Sequence, residues 1–294
     1  MLYDVGLRIM YSYQSPAAGG RHVLYMTPAD LPGRQRPITS LLDIRPTPDE
    51  RIAGTDFYGN TLVQVAFRAP HAKIEFRLRS RLDRLTEVRG PDVSPPLDLL
   101  PAEIADVRSL APEAPTHFVA NSPRVQASPE FGAYARSQIT SSMTVLAAAE
   151  AIGKALDRDM TYDPDATNVD TRPQEAFARR HGVCQDFSHI MIGCLRAIGV
   201  PAAYVSGFLR TNPPPGQPRL EGADAMHAWV RVWCGRETGW IEYDPTNGMF
   251  IGTDHIVVAH GRDYGDVAPV RGVVRTAGSQ ASSQAVDVVP VGEA

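Results

Sequence analysis

Along residues 3 to 13 apolar and polar side chains alternate, with Tyr3, Val5, Leu7, Ile9, Tyr11 and Tyr13 on one face and Asp4, Arg8 and Ser12 among those on the other. A period of two marks a strand with one face buried. The same reading gives strands at HVLYM (22–26), TLVQVAF (61–67) and KIEFRLR (73–79), with turns at Gly59-Asn60 and Ala69-Pro70. Residues 1–90 therefore predict a small antiparallel β-sandwich. Between Pro91 and Pro129 prolines cluster and the periodicity fades, so residues 91–129 read as a surface linker with one short helix near 102–109.

From residue 130 the period changes. Val145, Ala149, Ile152 and Leu156 recur at helical spacing. TRPQEAFARR predicts a second helix, with Thr171 and Gln174 spaced as in a capping box and Pro173 in the first turn. Phe187, Met191, Cys194, Leu195 and Ile198 then form the apolar stripe of a helix that starts near Cys184 and ends at Gly199-Val200-Pro201. AAYVSGFL, HAWVRVW and GWIEYD predict three strands, with the loop RTNPPPGQPRLEGADA between the first and second. The alternation in AVDVVPV (285–291) favours a last strand over a disordered tail. The chain as a whole predicts an α+β fold in which residues 130–294 form the second domain.

Composition narrows the function classes. At 294 residues the chain exceeds the size at which single cores stop growing, about 250 residues, which favours two domains. A net charge of −4, with 43% hydrophobic and 21% charged residues, gives no excess that would select a nucleic acid or an anionic membrane as partner. The N-terminus lacks a signal-like pattern and no run of about 18 apolar residues occurs, so a cytoplasmic location is expected. Three cysteines, Cys184, Cys194 and Cys234, are odd in number and match neither a disulfide framework nor a CxxC zinc site.

Cys184 is set apart by its place at a helix N-terminus, where unpaired N–H groups and the helix dipole favour a thiolate. Cys194, on the apolar stripe, reads as core. His189 lies five residues along the same helix, turned by about 140° and raised by about 7.5 Å, so it points away from the thiol. For the same reason Cys184, His189 and Cys194 make a poor zinc site. His181 reaches the thiol only if the chain doubles back. His227, 43 residues downstream, is better placed. If HAWVRVWC and ETGWIEYD form a hairpin around a two-residue turn at Gly235-Arg236, His227 stands directly opposite Asp244; a loop of three or five residues would put them on opposite faces, so the pairing requires an even loop. Singly, each of the three could be structural. Together they suit a nucleophile (Cys184), a general base and acid (His227) and an orienting carboxylate (Asp244). The Cys184 N–H supplies one oxyanion donor, and Gln185 and Tyr162 are candidates for a second. Trp229, Trp233 and Trp240 share the His227 face and read as sheet-packing aromatics.

GVCQDFSHIMIGCLRAIGVPAAYVSGFL, HAWVRVW and GWIEYDPTNG resemble the bacterial transglutaminase-like superfamily, which shares a papain-like cysteine protease core. DFYGN and its surroundings resemble the β-rich N-terminal domain of one bacterial group, and GRDYGDVAPVRG (261–272) its C-terminal segment. The resemblance implies a cysteine-bearing helix packed on an antiparallel sheet, with nucleophile, histidine and aspartate at Cys184, His227 and Asp244. It implies cleavage of amide, peptide or isopeptide bonds in a protein or peptide substrate through a thioester, or else acyl transfer from glutamine to an amine. A binding module that keeps the fold without the chemistry is the third reading, and the intact triad argues against it. No calcium-loop pattern is present, and no cofactor or metal is expected. Arg262, Asp263 and Tyr264 either rim the cleft or close a buried ion pair. PPPGQPR (213–219) is a local loop variant near the cleft.

Overall fold

In the computed structural model, residues 1–86, 89–140, 142–211, 222 and 224–292 are described. The early alternation folds as strands: β1 (Leu2–Ala17), β2 (Gly20–Leu24), β3 (Gln35–Arg45), β4 (Glu50–Thr55), β5 (Thr61–Phe67) and β6 (His71–Arg84). β1 and β6 pair antiparallel with Leu7 opposite Leu78 and Ile9 opposite Phe76, so their apolar stripes coincide on one buried face. The sequence pattern did not announce β3 and β4. Residues 38–41 of β3 are all exposed and β4 is exposed almost throughout, so neither shows a sustained buried stripe.

Residues 91–129 do more than link. They contain α1 (Leu100–Ala105), shorter and earlier than the expected helix, and a 3-10 turn (Pro115–Phe118). Phe118 and Val125 are buried. From residue 129 to the cysteine the described residues form three helices where two were expected: α2 (Pro129–Gln138), α3 (Val145–Asp159) and α4 (Pro173–Arg179). Thr144 caps α3, its hydroxyl accepting the Ala147 N–H at 3.2 Å. The expected Thr171 cap of α4 does not form. Arg172 holds the cap position, and the Thr171 hydroxyl accepts the Asn168 N–H instead.

A short parallel pair, β7 (Thr161–Tyr162) and β8 (His181–Gly182), leads into α5 (Cys184–Ala197), which Gly199 terminates at φ 82°. β9 (Ala202–Leu209), β10 (Ala225–Trp233), the helical turn α6 (Gly235–Thr238), β11 (Trp240–Asp244), β12 (Met249–Phe250) and β13 (His255–Gly261) follow. These strands form an antiparallel sheet in the order β12-β11-β10-β9-β13, and α5 packs on β9 and β10. Residues Gln185 to Leu195 of α5 are buried throughout. The loop variant expected at 213–219 lies outside the described residues.

After α7 (Tyr264–Val267) the chain returns to its beginning as β14 (Val270–Val274) and β15 (Gln280–Pro290). β15 pairs with β1 from Tyr3 opposite Pro290 to Tyr13 opposite Gln280, and β14 pairs with β2. The two sandwich sheets thus run β15-β1-β6-β3 and β14-β2-β5-β4. The expected boundary at residue 130 assigned these strands to the second domain; their hydrogen bonds put them in the sheets of the first. Among the described residues no helix is long and apolar enough to cross a membrane.

Candidate active site

Cys184 is the first residue of α5, and the extended backbone of Val183 before it makes the helix begin abruptly. Asp186, two residues into the helix, fixes that start. Its Oδ2 accepts the Val183 N–H at 2.9 Å and the Thr167 hydroxyl at 2.6 Å. Burial raises the Asp186 carboxyl pKa, and the two hydrogen bonds oppose the rise. Gly182 is required there because a Cβ would come within 2.7 Å of Oδ2. Cys184 is partly buried, whereas Cys194 and Cys234 are buried, and burial pushes their thiols well above the usual range. All three are free.

The hairpin that carries His227 and Asp244 has a longer turn than expected. Trp233 faces Trp240 and Arg231 faces Glu242, a slip of two positions from the register of a two-residue loop. Gly235 (φ 88°) and Gly239 (φ 70°) bracket the helical turn, and the Cys234 N–H closes it on the Gly239 carbonyl at 2.8 Å. The turn is shaped by α1, whose Glu103 accepts the Arg236 N–H at 2.8 Å. A slip of two preserves the face. His227 and Asp244 become diagonal neighbours on one side of the sheet, and His227 Nε2 meets Asp244 Oδ2 at 2.7 Å. The thiol of Cys184 is a near neighbour of the imidazole and acts on its charge.

Asp244 is fully buried and accepts from every side. Oδ1 takes the Thr246 N–H at 2.9 Å and the Asn247 N–H at 3.3 Å. Oδ2 takes His227, the Asn247 amide at 2.7 Å and His255 Nε2 at 3.1 Å. Asp244 is thus at once the turn-forming partner of the Pro245 loop and the partner of His227. Burial alone would raise its pKa, yet the bonds from His227 and His255 hold it well below the ordinary carboxylate range. Burial likewise opposes a charged His227, but the bond to Asp244 and the neighbouring Cys184 carry its pKa up to about 10.

Sequence reasoning missed His255 and Asn247. His227, Asp244 and His255 have the composition of a metal-ligand set, their candidate ligand atoms lying within 4.8 Å of one another. However, His255 Nδ1 accepts the Gly252 N–H at 3.3 Å, so Nε2 carries the proton and donates it to Asp244. The grouping therefore reads as a carboxylate held by donors.

The other candidates separate cleanly. Gln185 donates its amide to the Val169 carbonyl at 3.2 Å. Tyr162 is exposed and close enough to Cys184 for the thiol's charge to raise its pKa, after the larger effect of burial. His189 is buried; its Nε2 accepts the Tyr264 N–H at 3.1 Å, and burial pushes its pKa down to about 3. His181 is exposed and hydrogen-bonds the Arg179 carbonyl. Trp229 lies buried against Val205 and Val257 and donates to Glu242 at 2.6 Å, as a packing residue would. Arg262 pairs with Asp266 four residues on, and buried Asp263 accepts the distant Arg124 N–H, so these two side chains of GRDY are engaged in structural contacts.

Comparison with known proteins agrees with this architecture. The family model described as the transglutaminase-like superfamily matches residues 132–245, and that of the bacterial transglutaminase-like N-terminal region matches residues 3–83. An uncharacterized protein of Mycobacterium tuberculosis is 34% identical over 98% of this chain and 92% of its own length. A stretch of 88 residues, 29% of this chain, is 38% identical to part of a protein-glutamine gamma-glutamyltransferase of Pseudomonas aeruginosa, covering 13% of that protein. Among solved structures, a candidate cysteine protease from Cytophaga hutchinsonii superposes with a TM-score of 0.72 at 20% identity, covering 99% of this chain and 91% of that one, which shows a common fold. The chain belongs to the transglutaminase-like superfamily, in the bacterial form that carries the β-rich N-terminal region.

Proposed function

We propose that the protein cleaves amide bonds of a peptide, protein or isopeptide substrate through a thioester on Cys184. One observation carries the reading: a helix-start cysteine neighbouring a histidine whose imidazole bonds a buried carboxylate. The Cys184 sulfur attacks the carbonyl carbon while the Cys184 N–H, at the start of α5, stabilises the oxyanion. His227 delivers its proton to the leaving amine as the carbon–nitrogen bond breaks. Water then adds to the thioester, gives a proton to His227, and displaces the sulfur to leave a carboxylic acid. Asp244 holds His227 in the tautomer that presents Nδ1 to the sulfur.

A second outcome has its own support in the local likeness to the Pseudomonas gamma-glutamyltransferase. There an amine replaces water in the second half, and the chemistry up to the thioester is unchanged. Incubation with a glutamine-containing peptide mixture, with and without methylamine, separates the two by mass spectrometry. Hydrolysis predicts new acids that methylamine does not divert; transfer predicts methylamide products. Both must vanish in Cys184→Ala, and product that persists in that variant would end the proposal. The three free thiols suit a reducing compartment, in keeping with a cytoplasmic site of action.

A further inference from the structure

Three buried polar side chains of the N-terminal sandwich converge on one short stretch of the catalytic sheet. The Tyr3 hydroxyl donates to Asp254 at 2.8 Å, and the Arg84 guanidinium donates to the His255 carbonyl at 3.0 Å. Gln35 grips Val257 twice, donating to its carbonyl at 2.7 Å and accepting its N–H at 2.9 Å. Tyr3, Gln35 and Arg84 are almost wholly buried, and an unsatisfied polar group at such sites is costly. These three residues of the sandwich therefore fix residues 254, 255 and 257, the start of β13. Between them, His255 turns its ring back to Asp244.

A second leg runs beneath the first. Arg34 pairs with buried Glu242 at 2.9 Å, and Glu242 accepts the Trp229 indole N–H at 2.6 Å. Glu242 and Trp229 precede Asp244 and follow His227 by two residues, on the same face of the sheet. Arg84 also donates to the Arg34 carbonyl at 2.9 Å, so the two legs share an anchor.

We propose that His255 is a positioning residue for Asp244, and that the sandwich holds the catalytic geometry through Arg84 and the start of β13. The inference rests on the triad reading above. With Nδ1 committed to the Gly252 N–H, His255 offers Asp244 a fixed N–H donor. Removing it leaves the carboxylate less firmly held and weakens its support of the His227 imidazole beside Cys184.

The test is the pH profile of Cys184 alkylation by iodoacetamide in the intact protein, followed by peptide mapping, for the parent, His227→Ala, His255→Ala, His255→Gln and Arg84→Met. The acid limb of the profile should move upward by about one pH unit in His255→Ala, the size expected for one hydrogen bond to a charged group. It should return to the parent position in His255→Gln, whose amide can both donate to Asp244 and accept from Gly252. Arg84→Met should shift it in the same direction by less. A parent-like profile in His255→Ala, or an equal shift in His255→Gln, would overturn the positioning role. Should His255→Ala fail to melt cooperatively, His255→Gln and Arg84→Met decide, and an unmoved limb in Arg84→Met rejects the part assigned to the sandwich. A parent Cys184 that alkylates no faster than in His227→Ala would instead reject the triad reading, and the inference with it.

Discussion

At the scale of single residues, the site depends on a charge arrangement that burial opposes and hydrogen bonds rescue. His227 has its pKa raised to about 10 against the desolvation that would lower it. Because the folded value lies above the unfolded one, about 6.5, the charged form's contribution to stability is complete below that value. It fades as pH rises through about 10. Asp244 is shifted the other way, so its contribution is present above the ordinary carboxylate pKa and is lost in acid. Amide cleavage should accordingly fall off on the alkaline side near pH 10, as His227 loses the proton it gives the leaving amine, and a pH–rate profile reads this directly. Asp244→Asn should lower kcat by about 10²–10⁴, since the amide can turn the imidazole into the wrong tautomer. Cys184, His227 and Asp244 were legible because each sat in a local signal: a helix start, a strand, a strand end. His255 carried none; its link to Asp244 exists only once β13 has folded against β9.

At the scale of elements, parity mattered more than loop length. The hairpin turn proved longer than two residues because Gly235 and Gly239 allow a helical turn that α1 then grips, a tertiary contact with no trace in the local sequence. The loop stayed even, and so His227 and Asp244 kept a common face. β13 and α2 went unread for different reasons. IVVA in β13 is a continuous apolar run without alternation, and α2 begins at a proline that looked like the end of the linker. Next to the site, Gly207 stands opposite His227, and a Cβ there would lie 2.2 Å from the Ile256 carbonyl oxygen and 2.3 Å from the Trp229 ring. Gly207→Ala should therefore cost about 1–3 kcal/mol, visible in a denaturant midpoint, because neither the strand carbonyl nor the buried indole can withdraw easily. An unchanged midpoint would mean that β9 and Trp229 shift freely, contrary to the packing described here.

At the scale of the whole molecule, the chain closes on itself: β14 and β15 complete the sandwich sheets that the first 84 residues begin. Composition and alternation revealed the sandwich and the α+β core but not this return, because strand partnership between opposite ends of the chain leaves no local mark. Deleting residues 269–294 should expose the edges of β1 and β2 and bring β13 down with the sandwich, seen as loss of a cooperative thermal transition. A truncated chain that melts like the parent would show the sandwich to be self-sufficient. The central claim is that His227 activates Cys184, and the most direct measurement is the peptide-mapped rate of iodoacetamide alkylation of each cysteine at pH 6. Cys184 should react far faster than Cys194 and Cys234, and His227→Ala should remove most of that advantage while leaving its exposure nearly unchanged. A Cys184 rate that is the same with and without His227 would contradict the account, for the thiol would then be merely accessible.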